Sequence, residues 1–261
     1  MGFRPKAWWQ RLQRKRAAEQ WRQMEEQVSG FGRARLARRM DEARTLRESL
    51  GRFLHRADER TRLSHARLAD LPLPGGTDWR WRPGFLAGRV SPSGMAGPQS
   101  GDSVGELARL WHDDSDSPLI LRQVANSASA DMSPFALRLE VLDFKGSYLS
   151  LSVDLPVDAQ QGLQKNHVLR LETDLQVERP ISIYARLNVQ HGPNTDELLR
   201  HLGEIMPGQS NHPVTEFDLA LINMNEKRLE KIWLDLIFEA PHMNAVELRD
   251  MFISRHPRAE V

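Results

Sequence analysis

The sequence predicts a mainly β fold, an antiparallel β-sandwich preceded by a basic helical arm or hairpin. Three observations carry this expectation. From about Leu119 onward, apolar and polar residues alternate in repeated runs separated by short polar links, the pattern of half-buried strands. Ahead of them, residues 1–70 are rich in helix formers and space their apolar residues as a helix does. The charge is also split: residues 1–70 hold 18 Lys and Arg against 9 Asp and Glu, whereas residues 71–261 hold 18 against 26. The formal net charge of +1 therefore hides an arm of +9 and a remainder of −8. Such asymmetry points to interaction with something charged.

The elements follow in chain order. Pro5 suits a first helical turn, and residues 6–28 contain neither Gly nor Pro. Ser29-Gly30-Phe31-Gly32 interrupts the helix, and a second one starts near Arg33. Its apolar residues fall at Leu36, Met40, Ala43, Leu46, Leu50, Phe53 and Ala57, one stripe along one face. Leu71-Pro72-Leu73-Pro74-Gly75-Gly76 ends the helical region. Residues 77–117 are rich in Gly, Pro and Ser, with Trp79, Trp81, Phe85 and Trp111 as anchors, which predicts an ordered wrap. Strands are then expected at 135–142, 149–155, 168–175, 181–189, 217–221, 232–238 and 246–254. Asn194-Thr195-Asp196-Glu197-Leu198-Leu199-Arg200 has the form of a capped short helix, and a helical turn is expected after Asp158. The resulting organisation is a basic amphipathic arm at 1–70, a wrapping segment at 71–117 and a sandwich domain at 118–261.

Composition narrows the function. With 40% hydrophobic and 27% charged residues the chain has the make-up of a soluble globular protein. The absence of Cys removes disulfides, thiolate metal sites and Cys nucleophiles. There is no run of 18 apolar residues and no apolar segment behind the basic N-terminus, so the expected location is cytoplasmic, with a peripheral membrane association as an extension of it. No phosphate-binding loop, dinucleotide glycine pattern, nucleophile elbow or zinc-protease helix occurs, and no cofactor is expected.

Three sets of residues are candidates for binding. In the arm, Trp8, Trp9, Arg11, Leu12, Arg14 and Arg16 interleave aromatic and basic groups, and Leu36, Met40, Leu50 and Phe53 supply the stripe. This suits a protein complex, including a membrane-associated one, then an anionic membrane surface. Nucleic acid ranks last, because the remainder is acidic and offers no recognition module. A second set, Trp79, Trp81, His191, Asn194, Asn225 and Trp233, could stack and hydrogen-bond a sugar. Asp113, Asp114 and Asp116 form a carboxylate cluster that would suit calcium, although an exposed acidic turn explains it more simply. His191, at a strand end, could also act as a base, but no partner can be assigned to it from spacing.

The stretch Trp233–Glu239, then Asn244, Val246–Phe252 and Arg255, resembles the closing strands of galactose-binding-like, carbohydrate-binding-module jelly rolls. The sandwich expectation therefore becomes a jelly-roll-like one. The chain also resembles an uncharacterised alphaproteobacterial family of the Rhodobacter type, a domain of unknown function. That likeness lies in Pro74–Pro83, His191-Gly192-Pro193-Asn194-Thr195, Asn225-Glu226-Lys227-Arg228 and Ser254–Glu260. It implies no activity. The expectation is a non-enzymatic accessory or assembly protein that docks on a larger complex through arm and sandwich. A carbohydrate-binding protein is the alternative, marked by exposure of Trp79, Trp81 or Trp233 on one concave sheet face.

Overall fold

A computed structural model of the chain describes residues 5–65, 72–126 and 132–258. Within the arm, the described side chains are those of residues 15–17, 19–47, 49 and 50. The chain divides into two units, Met1–Arg56 and Ala57–Val261.

The first unit holds α1 (Pro5–Glu26), a 3-10 turn at Val28–Gly30, and the start of α2 (Arg33–His65). The break falls at Ser29–Gly32 because Gly lowers helix propensity and Phe31 takes an extended backbone, φ −85° and ψ 133°. On α2, Met40, Leu46 and Leu50 are 45, 41 and 52% exposed. Within the described part of the apolar stripe these three are exposed, and Leu36 and Ala43 are half-buried. Among the described residues no helix is long and apolar enough to cross a membrane.

The second unit is the expected antiparallel sandwich. Its elements are β1 (Trp79–Trp81), α3 (Gly84–Ala87), β2 (Gly94–Ala96), β3 (Ser103–Val104), β4 (Ala108–His112), β5 (Leu119–Ala125), β6 (Phe135–Val141), β7 (Leu149–Asp154), β8 (His167–Val177), β9 (Ile181–His191), β10 (Asn194–Ile205), β11 (Val214–Asp218), β12 (Leu229–Phe238) and β13 (Asn244–Pro257). One sheet runs β11-β8-β13-β6-β5-β2, with β1 also on β13; the other runs β10-β9-β12-β7-β4-β3. The inward residues fuse into one core. Leu110, Leu149, Val153, Ile183, Val189 and Leu234 have essentially no exposed surface. Each such side chain contributes about 1.5–3 kcal/mol by leaving water.

Three expectations from the sequence need correction. Residues 194–200 are not a helix but the start of β10, paired with β9 from Asn194↔His191 onward. Gly192, at φ 54°, and Pro193 make a two-residue hairpin turn, and pairing along the β9 edge outweighs a local preference worth only tenths of a kcal/mol per residue. The strand expected at 217–221 stops at Asp218, whose carboxylate accepts the Ala220 amide at 3.0 Å and caps a 3-10 turn over Leu219–Leu221. Finally, residues 77–117 do more than wrap: β1 to β4 lie in them and extend both sheets.

Two ion pairs, one buried and one with an exposed carboxylate, fasten this early segment to β13. Arg82 donates from Nε and Nη2 to the two oxygens of Asp250, both at 2.8 Å. Arg255 grips Asp78 in the same fork at 2.8 and 2.9 Å, and its Nη1 donates to the carbonyls of Ala159 and Gln161. The Arg255 hydrogen bond holds the Asp78 carboxyl below its ordinary pKa.

Candidate functional site

The six-stranded sheet shows the core only one face. Alternation along β4, β7, β9 and β12 sends the other set of side chains outward. Register arranges them in cross-strand rows. Glu197, Asn188, Trp233 and Asp154 stand side by side from β10 to β7. The next row is Leu199, Arg186, Asp235, Ser152 and Arg109, and the one after is His201, Tyr184, Ile237, Ser150 and Trp111.

Although these residues point away from the core, the middle of the face is buried. Asp235 is 3% exposed, Asn188 1%, Ser152 8% and Ser150 0%. The larger outward side chains cover them. Asp235 Oδ2 accepts from Asn188 Nδ2 at 2.9 Å and from Arg186 Nε and Nη2 at 3.1 and 3.0 Å. Burial opposes the Arg186 charge, but the hydrogen bond and charge of Asp235, with Glu197 behind, outweigh it and hold the guanidinium pKa above its ordinary value. Ser150 Oγ lies 2.6 Å from Tyr148 Oη.

Around this polar floor stands an aromatic and cationic rim. Trp111 is 41% exposed, and Trp233 and Tyr184 are half-buried. Lys231 Nζ sits 5.3 Å from the Trp233 ring centre and 2.9 Å from Asp154 Oδ1, while Arg109 Nη1 reaches Asp154 Oδ2 at 3.1 Å. Tyr184 packs on His201 with ring centres 4.7 Å apart. Aromatic rings of this kind can stack on the flat side of a polar ring, while the floor groups beneath them hydrogen-bond to one another.

Of the six sugar-binding candidates from the sequence, only Trp233 lies here. Trp79 and Trp81 sit opposite Arg255 and Ile253 on the other sheet and pack on the core, so they are anchors of β1. His191, Asn194 and Asn225 gather at one end of the sandwich. His191 is 7% exposed and its Nε2 lies 3.0 Å from Asp196 Oδ2. Asn194 opens the hairpin strand, and Asn225 Oδ1 caps the adjacent 3-10 turn by accepting the Lys227 amide. The sequence reading missed Tyr148, Tyr184, Arg186, Asn188 and Asp235, and took Trp111 for an anchor. The alternation Ala-Arg-Leu-Trp-His at 108–112 was the available signal for Trp111.

The calcium candidates Asp113 and Asp114 accept most of their hydrogen bonds from residues 145–148. Asp113 accepts from the Ser147 hydroxyl and from the Ser147 and Tyr148 amides, and Asp114 from the Lys145 and Asp116 amides. The Ser147 hydroxyl and the Lys145 amide are the chief reasons that Asp113 and Asp114, respectively, titrate below the ordinary carboxyl range. Asp116 is exposed. Among the described residues no group of three or more His, Cys, Asp or Glu side chains converges to hold a metal ion. In the arm, Arg16 is exposed, whereas the side chains of Trp8, Trp9, Arg11, Leu12, Arg14 and Phe53 lie outside the described residues.

The family model described as a family of unknown function, DUF6478, matches residues 1–261. No curated protein matches the chain. Among solved structures it is similar to the xylan-binding domain CBM22-1 of Xyn10C from Paenibacillus barcinonensis, at 10% identity over 64% of this chain and 94% of that one, TM-score 0.39. It is likewise similar to the C-terminal family 22 carbohydrate-binding module of Clostridium thermocellum Xyn10B, at 9% identity over 73% and 99%, TM-score 0.40.

Proposed function

The chain belongs to the DUF6478 family, whose function is unknown, and we propose that it is a non-catalytic protein that binds glycan on the outer face of its six-stranded sheet. One observation carries the reading: a buried polar floor of Asn188, Asp235, Ser150 and Ser152 on a face turned away from the core, rimmed by Trp111, Trp233 and Tyr184. Hydroxyl-rich ligands need that combination, because their ring faces are apolar and their edges demand hydrogen bonds. Binding without turnover follows from the carboxylates of the face. Glycoside hydrolysis takes two carboxyl groups free to act as acid and as nucleophile or base. Here Asp154 is engaged by Arg109 and Lys231, and Asp235 by Arg186 and Asn188.

The test is a glycan array followed by affinity electrophoresis of the intact chain and of Trp233→Ala. Loss of a central aromatic contact removes about 2 kcal/mol, or some thirtyfold in affinity. Retention of the wild-type chain by a polysaccharide, weakened on that scale in the variant, is the expected result. A chain that no glycan retains, or whose retention ignores Trp233, refutes the proposal.

A second reading concerns the arm and rests on the exposed Met40, Leu46 and Leu50. For it we propose docking on an acidic face of a protein complex, the sign being set by the net +9 of residues 1–70. The full-length chain should then co-purify, in a salt-sensitive manner, with one stoichiometric acidic partner. A variant with Glu at 40, 46 and 50 should lose it. Co-sedimentation of the wild type with phosphatidylserine vesicles in place of a protein would overturn this reading.

A further inference from the structure

Resting on the glycan-binding reading, we infer that the ligand is an internal stretch of an extended, uncharged polysaccharide lying diagonally across the strands, and not a chain end or a single sugar. The argument starts from register. Trp233 stands beside Asp154 of β7, and Trp111 stands on the other side of β7 beside Ser150. The two rings are therefore two strand spacings apart across the sheet and four residues apart along it. With strands about 4.8 Å apart and about 3.3 Å per residue, the diagonal is roughly 16 Å. That is longer than a disaccharide. One sugar cannot touch both rings, whereas a run of several linked pyranoses can stack at each end.

The ground between the two rings is polar. Ser152 lies midway between them, with Asp235 beside it on β12 and Asn188 and Arg186 one strand further on β9. Trp111, 41% exposed, and Trp233, half-buried, mark the two ends, and the serines between them lie beneath larger neighbours.

Charge selects the class. The face carries the cations Arg109, Arg186 and Lys231 and the carboxylates Asp154, Asp235 and Glu197, with Glu239 beside Tyr184 at its edge. Each cation has a carboxylate within 4 Å: Arg109 and Lys231 hold Asp154, and Arg186 holds Asp235 at 3.0 Å and Glu197 at 3.7 Å. A uronate or sulfate would have to displace one of these partners, so a face whose cations are all engaged favours a neutral polymer.

The experiment is calorimetric titration of the intact chain with xylo-, cello- and manno-oligosaccharides of two to six units, with polygalacturonate as the acidic control. For the series that binds, affinity should rise at least tenfold from disaccharide to hexasaccharide. Trp111→Ala should cost the hexasaccharide about tenfold and leave the disaccharide unchanged at Trp233. Equal affinity for disaccharide and hexasaccharide, with Trp233→Ala still weakening both, would overturn the internal-chain inference and leave the glycan reading standing. Polygalacturonate binding tighter than every neutral series would overturn the charge argument. Binding in no series, with the array also negative, would remove the reading on which the inference rests.

Discussion

Arg82→Ala is expected to destabilise the sandwich by about 3–5 kcal/mol, the largest effect of any single substitution considered for this chain. The Arg82 side chain is 4% exposed and that of Asp250 12%, so removal of one leaves the other charged and nearly dry. Asp250 Oδ1 also accepts the Met251 amide at 2.8 Å, just after the bulge between Leu248 and Asp250. That bulge changes which residues of β13 face the core, from Val246 and Leu248 before it to Met251 and Ile253 after it. The ion pair holds the segment between β1 and α3 against this switch. It thereby seats Phe85 and Leu86, which are 3 and 0% exposed. Replacing both partners, as Arg82→Met with Asp250→Leu, should recover most of the loss, because no charge is then left unpaired. Urea unfolding of the three variants checks this. A loss below about 1 kcal/mol for Arg82→Ala would put the pair in the class of exposed ion pairs.

Much of the fold was legible because half-buried strands write their burial into a two-residue alternation. Leu169, Leu171 and Leu175 against Arg170, Glu172 and Asp174 is such a case, and β8 covers those residues. The misreadings arose where local preference and pairing disagree. Asn194-Thr195-Asp196 has helix-capping chemistry, yet the edge of β9 offers a ladder of backbone hydrogen bonds that the isolated peptide lacks. In residues 77–117 the strands are two to five residues long, too short for a period to register. The binding face was hidden for another reason. Asn188, Asp235, Ser152 and Arg109 are distant in sequence and meet only through register. Each taken alone looks like the wet side of a strand. Trp79 and Trp81 drew attention by their size, but their side chains follow Arg255 and Ile253 toward the interior.

The floor itself can be tested through Asp235. Its outward position and 3% exposure mean that a carboxylate has been buried on the side of the sheet where water is available. Stability alone would be served as well by an apolar residue, so the burial needs another cause, and orientation of Arg186 and Asn188 supplies one. Asp235→Ala should cost about 2 kcal/mol, since it removes the acceptor of three hydrogen bonds, two of them from a guanidinium. The Arg186 side chain is 30% exposed and can recover some hydration, which keeps the loss below that of Arg82→Ala. Glycan affinity should fall about tenfold or more, because Arg186 is then left with Glu197 at 3.7 Å and turns away from the floor. Asp235→Asn separates the two roles. It keeps an acceptor for Asn188 and much of the fold stability, but gives up the ion pair that aims Arg186. Affinity for the hexasaccharide should drop in both variants while the urea midpoint drops chiefly in Asp235→Ala. If the Asn variant binds glycan as the parent does, Arg186 plays no part in recognition and the floor is a structural network only.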